Sequence, residues 1–335
     1  MTIRILSIDG GGIRGIIPGQ ILVSLEEKLK IKSGNREARI GDYFDLVAGT
    51  STGAILSAAY VCPDKDRKPK YSAEEVVNFY LEDGDEIFDV SFWRSIAGFG
   101  WISDEKYSEK GIERVLASSF GDTKISELLK PTCLVAYDVK RREPVIFKQH
   151  CALEKNMDFL VRDALRGSTA APTYFEAERV YSLPPLKRKF VLIDGGIVAN
   201  DPTLCAYSEA LKFDSVQGIK DMMILSLGTG KQLKPYSYSE VKDWGALGWA
   251  RPSIDIALEG GPQMTEYFMK QVVSTESTSM FYRIQPDLYG ADTEMDNATP
   301  KNLELLRNAG IKNAEEYDSM LENIADILVN GRVDE

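Results

Sequence analysis

Short apolar runs bounded by glycine or polar residues alternate along the chain with segments in which apolar residues recur at helical spacing. The apolar runs predict strands over residues 4–8, 45–49, 132–139, 145–148, 190–193, 222–227 and 281–284. The helical spacing predicts helices over residues 18–30, 51–60, 74–81, 110–118, 158–166, 204–211, 254–273, 302–308 and 314–329. This alternation predicts an α/β fold of three layers, with helices on both faces of a largely parallel central sheet.

One domain is the expected organisation of the 335 residues, because no internal repeat, low-complexity segment or long linker divides them. Hydrophobic residues make up 44% of the sequence, which is enough for a large core. The formal net charge of −11 argues against binding to nucleic acids, whose phosphates need a basic face, and against electrostatic docking on anionic lipid. With no secretory signal and no apolar stretch suited to a membrane span, a cytoplasmic protein is expected.

Metal or cofactor chemistry is not expected from the residue types present. The chain has one histidine, His150, and four cysteines that form no CxxC pair, Cys62, Cys133, Cys151 and Cys205. A zinc site takes three or four protein ligands in most cases, and a disulfide framework is denser and typical of shorter chains. We therefore expect reduced thiols, no metal and no cofactor.

A serine lies between glycines where a predicted strand passes into a predicted helix. The sequence Gly49-Thr50-Ser51-Thr52-Gly53 fits the G-x-S-x-G pattern, in which a tight strand-to-helix turn exposes a serine hydroxyl. The adjoining helix N-terminus favours the negative charge that develops during nucleophilic attack. Ser51 is therefore the candidate nucleophile, although a turn of small residues that only packs a helix on a strand would show the same pattern.

Three consecutive glycines follow the first predicted strand, within residues 9–15 (DGGGIRG). Such a run lets backbone N–H groups converge on an anion, which is either a phosphate or an oxyanion. The loop lacks the G-K-[ST] ending of a Walker A loop, and it fits the dinucleotide spacing only through Gly10, Gly12 and Gly15. A non-catalytic nucleotide-binding module is therefore kept as the alternative to an oxyanion site.

Four glycine turns come directly after predicted strands, at residues 9–15, 49–53, 194–196 and 228–230. In open α/β sheets, ligands bind beyond the carboxyl ends of the strands, so these turns are expected to surround one site. The turn Asp194-Gly195-Gly196 would add a carboxylate to that site.

The base that would activate Ser51 is either His150 or a carboxylate. A Ser-His-Asp triad would need His150, but this residue lies between a predicted strand and a charged stretch, with no glycine turn nearby. Burial raises the pKa of an aspartate and so makes it a stronger base. A Ser–Asp dyad is therefore favoured, and a Ser51–His150 esterase for small soluble esters is kept as the alternative.

The order of these motifs resembles that of the patatin-like phospholipase family. The resemblance rests on DGGGIRG at residues 9–15, GTSTG at 49–53 and DGG at 194–196, with AAPTYF at 170–175 and SLGTG at 226–230. It implies one patatin-like domain over residues 1–335, with its catalytic motifs within 5–230 and a helical part over 254–330. The residues beyond 230 contribute nothing to this resemblance.

The resemblance also implies a chemistry, the hydrolysis of fatty-acyl esters of membrane phospholipids without metal or cofactor. Ser51 would be the nucleophile and Asp194 the general base. The backbone amides of Gly11 and Gly12 would form the oxyanion hole, with Arg14 supporting that loop. Some small bacterial members of the family resemble antiviral effectors that cyclic nucleotides switch on, so a cyclic-nucleotide activator is a further hypothesis, for which the sequence identifies no site.

Aromatic residues indicate how the protein would reach lipid. Two pairs of tryptophans lie in loop-like segments, Trp93 with Trp101 and Trp244 with Trp249. Tryptophan suits the membrane interface, and a chain of net charge −11 would make a hydrophobic contact there. We expect residues 90–103 to form a lid or lipid-contacting flap that brings the protein transiently to the inner membrane surface. Burial of these residues in the core is the alternative.

Overall fold

An eight-stranded sheet organises the computed structural model of the protein, which describes residues 2–82, 109–154, 156–231, 235–275 and 280–331. The strands are β1 (Ile3–Ile8), β2 (Leu46–Thr50), β3 (Thr132–Asp138), β4 (Glu143–Phe147), β5 (Glu178–Tyr181), β6 (Lys189–Asp194), β7 (Met222–Leu227) and β8 (Met280–Ile284). Hydrogen-bonded pairing links the strands in the sequence β5-β6-β3-β2-β1-β7-β8, and β4 also pairs with β3.

The strand pairing confirms the predicted α/β class with a mostly parallel sheet. Five neighbouring strands, β3, β2, β1, β7 and β8, run parallel, and β1 at the centre aligns Ile5 with Leu46 on one side and Ile224 on the other. In contrast, β4 and β6 run antiparallel to β3, and β5 runs antiparallel to β6. The sequence predicted no strand at β5, because Glu178–Tyr181 lacks an apolar run. In the structure this strand buries one of its four side chains.

Helices cover both faces of this sheet. The described helices are α1 (Ile16–Ser33), α2 (Ile40–Tyr43), α3 (Thr52–Tyr60), α4 (Ala73–Glu82), α5 (Glu109–Phe120), α6 (Val161–Ser168), α7 (Gly196–Ala199), α8 (Thr203–Ala210), α9 (Tyr238–Val241), α10 (Ala246–Ser274), α11 (Pro300–Glu316) and α12 (Asp318–Asn330). Successive side chains of a strand point to opposite faces, so β1 sends Leu6 and Ile8 into one core cluster and Ile5 into another. The first cluster includes α1, α3 and α4, and the second includes α8.

The C-terminal helices belong to the same core as the strands that carry the glycine motifs. α11 and α12 pack on α1, and α4 packs on it as well. As a result, α1 buries Ile17, Ile21, Leu22 and Leu25 completely. The residues beyond 280 thus cover a helix that begins immediately after the first glycine loop.

α10 begins at Ala246, well before the predicted helix over residues 254–273. The expectation that Trp249 lies in a loop is therefore wrong. Glycines and Pro252 near the start of the helix are signals of a loop in the sequence, but Pro252 and Pro262 both lie inside the helix. A proline has no N–H, so the carbonyl four residues before it loses its helical hydrogen-bond partner.

The expected lipid-contacting flap over residues 90–103, with Trp93 and Trp101, lies outside the described residues. Of the second pair of tryptophans, Trp244 is half-buried and Trp249 is exposed. Within the described ranges, no helix combines the length and the apolar composition that crossing a bilayer requires.

Candidate active site

Ser51 occupies a strained turn between β2 and α3. Its backbone has φ 56° and ψ −124°, a conformation that residues other than glycine rarely adopt. The turn is also tight, because a Cβ atom on Gly49 would lie 2.1 Å from the carbonyl oxygen of Gly53. The flanking glycines let the strand pass directly into the helix, and the bend presents Ser51 to a cavity.

Ser51 and Asp194 are brought together by two strands that share one edge of β3. β2 pairs with the first part of β3, where Thr50 lies opposite Val135. β6 pairs with the second part, where Asp194 lies opposite Ala136. Since β4 pairs along both parts, it occupies the other edge, and the ends of β2 and β6 therefore meet on the same edge.

The geometry corrects the reason that the sequence analysis gave for this meeting. The turns at residues 9–15, 49–53 and 194–196 do contribute to one cavity, as expected. However, β6 is antiparallel to its neighbour, so Asp194 is not at the carboxyl end of a parallel strand. Its position depends on the register of β6, which pairs with residues 136–138 of β3, directly after residues 132–135, with which β2 pairs.

Asp194 is a buried carboxylate that lines the same cavity as Ser51. The backbone amide of Gly196 donates a hydrogen bond to its Oδ1 at 2.7 Å. Burial raises the pKa of Asp194 to about 6, although the Ser51 side chain and the Gly196 amide favour the charged form. The carboxylate is thus ionised near neutral pH and is a stronger base than an aspartate in water.

Ser168 fixes the backbone of Ser51 from the side. Its Oγ accepts a hydrogen bond from the Ser51 amide at 3.1 Å and donates one to the carbonyl of Val135 at 2.5 Å. Ser168 is fully buried at the end of α6. The sequence analysis missed this residue, because nothing in its immediate neighbours indicates a contact with a turn more than a hundred residues away.

The glycine loop after β1 is held at both ends by hydrogen bonds. The amide of Gly10 donates to the carbonyl of Asn200 at 3.0 Å, and the hydroxyl of Thr229 donates to the carbonyl of Gly10 at 2.8 Å. At the far end, the amide of Ile13 donates to the carbonyl of Met295 at 2.8 Å. These contacts come from three different parts of the chain and leave the middle of the loop to face the cavity.

Gly11 and Gly12 form that middle part and line the cavity with Ser51 and Asp194. Among the described residues, no acceptor takes the amide hydrogen of Gly11 or of Gly12. Glycine is required at Gly12 by its φ of +58°, and at this position a Cβ would also lie 2.1 Å from the carbonyl oxygen of Met295. Two amide donors are therefore held beside the candidate nucleophile without a partner in the described chain.

Arg14 contacts the loop through its backbone, because its amide donates to the carbonyl of Gly11 at 3.2 Å. Its guanidinium is buried, and within the described ranges its Nε and Nη1 atoms have no hydrogen-bond partner. Burial lowers the pKa of Arg14, and the nearby carboxylate of Glu259 raises it. The side chain lines a second cavity behind the loop, whereas Ser51 lines the first.

A buried ion cluster supports the start of the glycine loop. Arg283 of β8 donates from Nη1 and Nη2 to the two carboxylate oxygens of Asp9, at 2.8 and 2.6 Å. Its Nη1 also lies 3.3 Å from Oδ2 of Asp201. Burial raises the pKa of Asp9, and the facing guanidinium opposes that shift. The sequence analysis missed Arg283, although an arginine inside a predicted buried strand indicates an acidic partner.

Asn200 connects the glycine loop to α10. Its Nδ2 donates to the carbonyl of Leu258 at 2.8 Å. In a regular helix this carbonyl would accept from residue 262, but Pro262 has no N–H to donate. The proline thus frees an acceptor inside the helix, and Asn200, whose own carbonyl holds Gly10, takes it.

The cavity next to Ser51 is mainly apolar. Besides the polar groups named above, its walls come from α3, α7, α10 and the segment after α6, and they include Ile55, Phe175, Ile197, Ile254 and Leu258. Such a lining suits a hydrocarbon chain.

His150 is not placed with Ser51. Its Nε2 lies 3.2 Å from Oε2 of Glu209, and its ring packs edge-on against Phe213. The same carboxylate accepts from Lys148 at 2.6 Å, so His150 belongs to a separate ion cluster on α8. In the part of the chain that the structure describes, no group of three or more His, Cys, Asp or Glu side chains could hold a metal ion.

The chain matches the model of a known protein family and is similar in sequence to proteins that carry names. Residues 6–207 match the family described as patatin-like phospholipase. Patatin group J-1 of Solanum tuberosum is 34% identical over 355 residues, which cover 98% of this chain and 90% of that protein. Patatin-2-Kuras 3 of Solanum tuberosum is 34% identical over 353 residues, which cover 97% and 89%. The similarity therefore extends beyond residue 230, where the motifs carried no resemblance.

Among solved structures, human GIVD cytosolic phospholipase A2 in complex with methyl gamma-linolenyl fluorophosphonate aligns with a TM-score of 0.48 and 12% identity, covering 99% of this chain and 60% of that one. VipD from Legionella pneumophila aligns with a TM-score of 0.43 and 11% identity, covering 100% and 72%.

Proposed function

Since the chain belongs to the patatin-like phospholipase family and is a lipid acyl hydrolase, we propose that it cleaves fatty-acyl esters of membrane phospholipids through Ser51 and Asp194. One observation carries the assignment: Ser51 and the buried carboxylate of Asp194 line the same mainly apolar cavity as Gly11 and Gly12, whose amides have no acceptor among the described residues.

In the first half of the reaction, Ser51 Oγ attacks the ester carbonyl carbon and its proton passes to Asp194. The amides of Gly11 and Gly12 donate to the oxyanion of the tetrahedral intermediate, which they stabilise without reorganising. The C–O bond to the lysolipid then breaks, and the departing alkoxide takes the proton from Asp194. The product is an ester of Ser51 with the fatty acid.

In the second half, Asp194 takes a proton from water, and the hydroxide attacks the acyl carbon of the Ser51 ester. The amides of Gly11 and Gly12 again stabilise the oxyanion, and the fatty acid leaves as Ser51 Oγ recovers its proton from Asp194. The apolar walls of the cavity hold the acyl chain in both halves. Because the substrate is a membrane lipid, the protein would make transient contact with the inner membrane surface.

Lipid release from mixed phospholipid vesicles tests this assignment. Wild type is expected to release fatty acid and lysolipid, measured by mass spectrometry, whereas Ser51→Ala and Asp194→Asn should release neither above background. A fluorophosphonate should modify Ser51 in wild type and label nothing in Ser51→Ala. Lipid release by Ser51→Ala at the wild-type rate would exclude Ser51 as the nucleophile.

The alternative of a Ser51–His150 esterase is tested by His150→Gln. We expect this variant to keep wild-type rates on both vesicles and a soluble ester, because His150 contacts Glu209 and not Ser51. A loss of about a hundredfold or more, typical of a missing general base, would favour the esterase.

A non-catalytic nucleotide-binding module would not react with a fluorophosphonate, so covalent labelling separates that alternative from the hydrolase. Cyclic-nucleotide activation in antiviral defence stays a prediction. Its test is the lipid hydrolysis rate with and without a panel of cyclic di- and trinucleotides, and a rate that is already maximal without nucleotide would contradict it.

A further inference from the structure

α10 exposes an unusual number of large apolar side chains. Their exposed fractions run from 39% for Trp249 to 91% for Leu247. The full set on this helix is Leu247, Trp249, Ile256, Met264, Tyr267 and Phe268. Monomeric soluble proteins rarely expose contiguous apolar patches of this kind without a binding role.

Five of these exposed residues lie within about 120° around the helix, whereas Leu247, in the first turn, lies on the opposite side. Trp249, Ile256 and Tyr267 are separated by seven and eleven positions, so at about 100° per residue they lie within about 20° of one line along the helix. The acidic residues Asp255 and Glu259 are half-buried about a quarter of a turn away. Of the side chains that the structure describes between residues 246 and 268, none that is exposed carries a charge.

Aromatic residues before the helix extend this side. Trp249 packs edge-on against Trp244 with ring centroids 5.1 Å apart, and Trp244 packs in the same way against Tyr236 at 5.2 Å. Tyr238 is 80% exposed. Tryptophan and tyrosine prefer the interface between lipid and water, because their rings are apolar and carry one polar group.

The other side of α10 forms a wall of the candidate active site. Ile254 and Leu258 line the cavity that contains Ser51, and the carbonyl of Leu258 is tied to Asn200. The apolar surface and the cavity thus lie on adjoining sides of one helix.

We propose that this surface docks the enzyme on a phospholipid bilayer, with α10 lying along the interface. We call it the α10 surface, formed by Trp249, Ile256, Met264, Tyr267 and Phe268. The inference rests on the proposed function, because an enzyme that takes lipid from a bilayer must bring its cavity to that bilayer. Apart from Lys270, which pairs with Glu266, the described exposed side chains of this face carry no charge, so the face makes this contact by burying apolar and aromatic groups despite the net charge of −11, whereas two copies of the chain would repel each other.

Binding to vesicles of phosphatidylcholine and phosphatidylglycerol tests the surface directly. In a Ser51→Ala background, the triple variant Trp249→Ser, Ile256→Ser, Tyr267→Ser should lower the vesicle partition coefficient by at least about tenfold in flotation, because three large apolar side chains lose their burial in lipid. A control variant removes three exposed apolar residues elsewhere, Ile31→Ser, Leu153→Ser and Leu186→Ser, whose exposed fractions of 54–79% are as a set higher, and it should leave the coefficient within about twofold.

Hydrolysis distinguishes docking from catalysis. With an active Ser51, the triple variant should lose vesicle hydrolysis by at least about tenfold and keep the rate on a soluble ester such as p-nitrophenyl butyrate within about twofold. If the triple variant folds poorly, as judged by its melting temperature, the single substitution Ile256→Glu should still weaken binding to these anionic vesicles, because it adds a like charge to the face.

Three results would overturn the proposal: unchanged vesicle binding by the triple variant, equal losses on the soluble ester and on vesicles, or a wild-type dimer that the triple variant dissociates without a change in vesicle binding. Failure of the proposed function looks different. It would leave wild type unlabelled by a fluorophosphonate and inactive on both substrates, while flotation of the Ser51→Ala protein would still report on docking.

Discussion

An aspartate in water is a poor base for a serine hydroxyl, because its pKa lies far below neutral pH. Asp194 differs through its surroundings and not its chemical type. It is buried among apolar walls, and burial raises its pKa to about 6. The proposed dyad therefore works without an imidazole, and the only histidine in the sequence is engaged with Glu209.

The dyad predicts an acid limb in the pH profile. The base form of Asp194 is the carboxylate, so kcat/KM on a soluble ester should fall tenfold per pH unit below about pH 6, the value to which burial raises its pKa. His150→Gln should show the same limb. A profile that is flat down to pH 4.5 would contradict the assignment of Asp194 as the base.

Asp194 should also destabilise the folded protein at high pH. Because its folded pKa is about 6 and its ordinary value is 3.8, its favourable contribution to stability is full below about pH 4 and is lost as the pH rises through 6. Asp194→Asn should therefore raise the free energy of unfolding by up to about 3 kcal/mol at pH 8 and by little at pH 4. Urea unfolding at both pH values measures this, and a variant less stable than wild type at pH 8 would contradict it.

At the scale of elements, the site depends on where strands end. β2 and β6 stop on the same edge of β3, so the turns that carry Ser51 and Asp194 meet there. The glycine loop after β1 is held by β8 through Arg283 and by the segment before α11 through Met295. Each candidate catalytic group is therefore positioned by contacts distant in the sequence, which in the proposed reaction keep the amides fixed before charge develops.

The ion pair between Arg283 of β8 and Asp9, the residue after β1, predicts coupling between these two side chains. Arg283→Met leaves buried Asp9 and Asp201 without their cation and should cost about 3 to 5 kcal/mol of unfolding free energy at pH 8. Asp9→Asn should cost less in the Arg283→Met background than in wild type. A double-mutant cycle from urea unfolding measures the difference, and additive effects would show that the two side chains do not interact.

At the scale of the molecule, the C-terminal part completes the core and the cavity around Ser51 and Asp194. α11 and α12 cover α1, β8 extends the parallel sheet, and α10 lines the cavity. The proposed α10 surface adds a relation to the membrane, because the helix that walls the cavity also carries the exposed apolar side chains.

The prediction of a single domain follows from this packing. Calorimetry of the full chain should give one transition, with equal calorimetric and van't Hoff enthalpies. A chain that ends at Gly230 should show no cooperative transition, because it loses Arg283 beside Asp9 and exposes the buried side of α1. If the shortened chain melts cooperatively and Ser51 still reacts with a fluorophosphonate, residues 2–230 form a domain of their own.

Local patterns in the sequence determined the α/β class, most strand positions and the turn at Ser51. The reason is that hydrophobic periodicity and glycine turns are properties of neighbouring residues. Motif order was also sufficient to indicate the family, which the family model over residues 6–207 confirms. The start of α10 was predicted wrongly, because glycine and proline signal a loop, whereas the helix begins at Ala246 and includes Pro252 and Pro262.

The tertiary structure alone decided how those parts combine. That β6 is antiparallel and pairs with β3 beyond the end of β2 depends on which strand edges are free, so no local pattern encodes the meeting of the Ser51 and Asp194 turns. The same holds for the contacts of Arg283 with Asp9 and of Ser168 with Ser51, which join residues more than a hundred positions apart. Whether a side chain is buried or exposed is decided only when distant segments pack together. This packing buries Asp194, which raises its pKa, and leaves apolar side chains of α10 exposed.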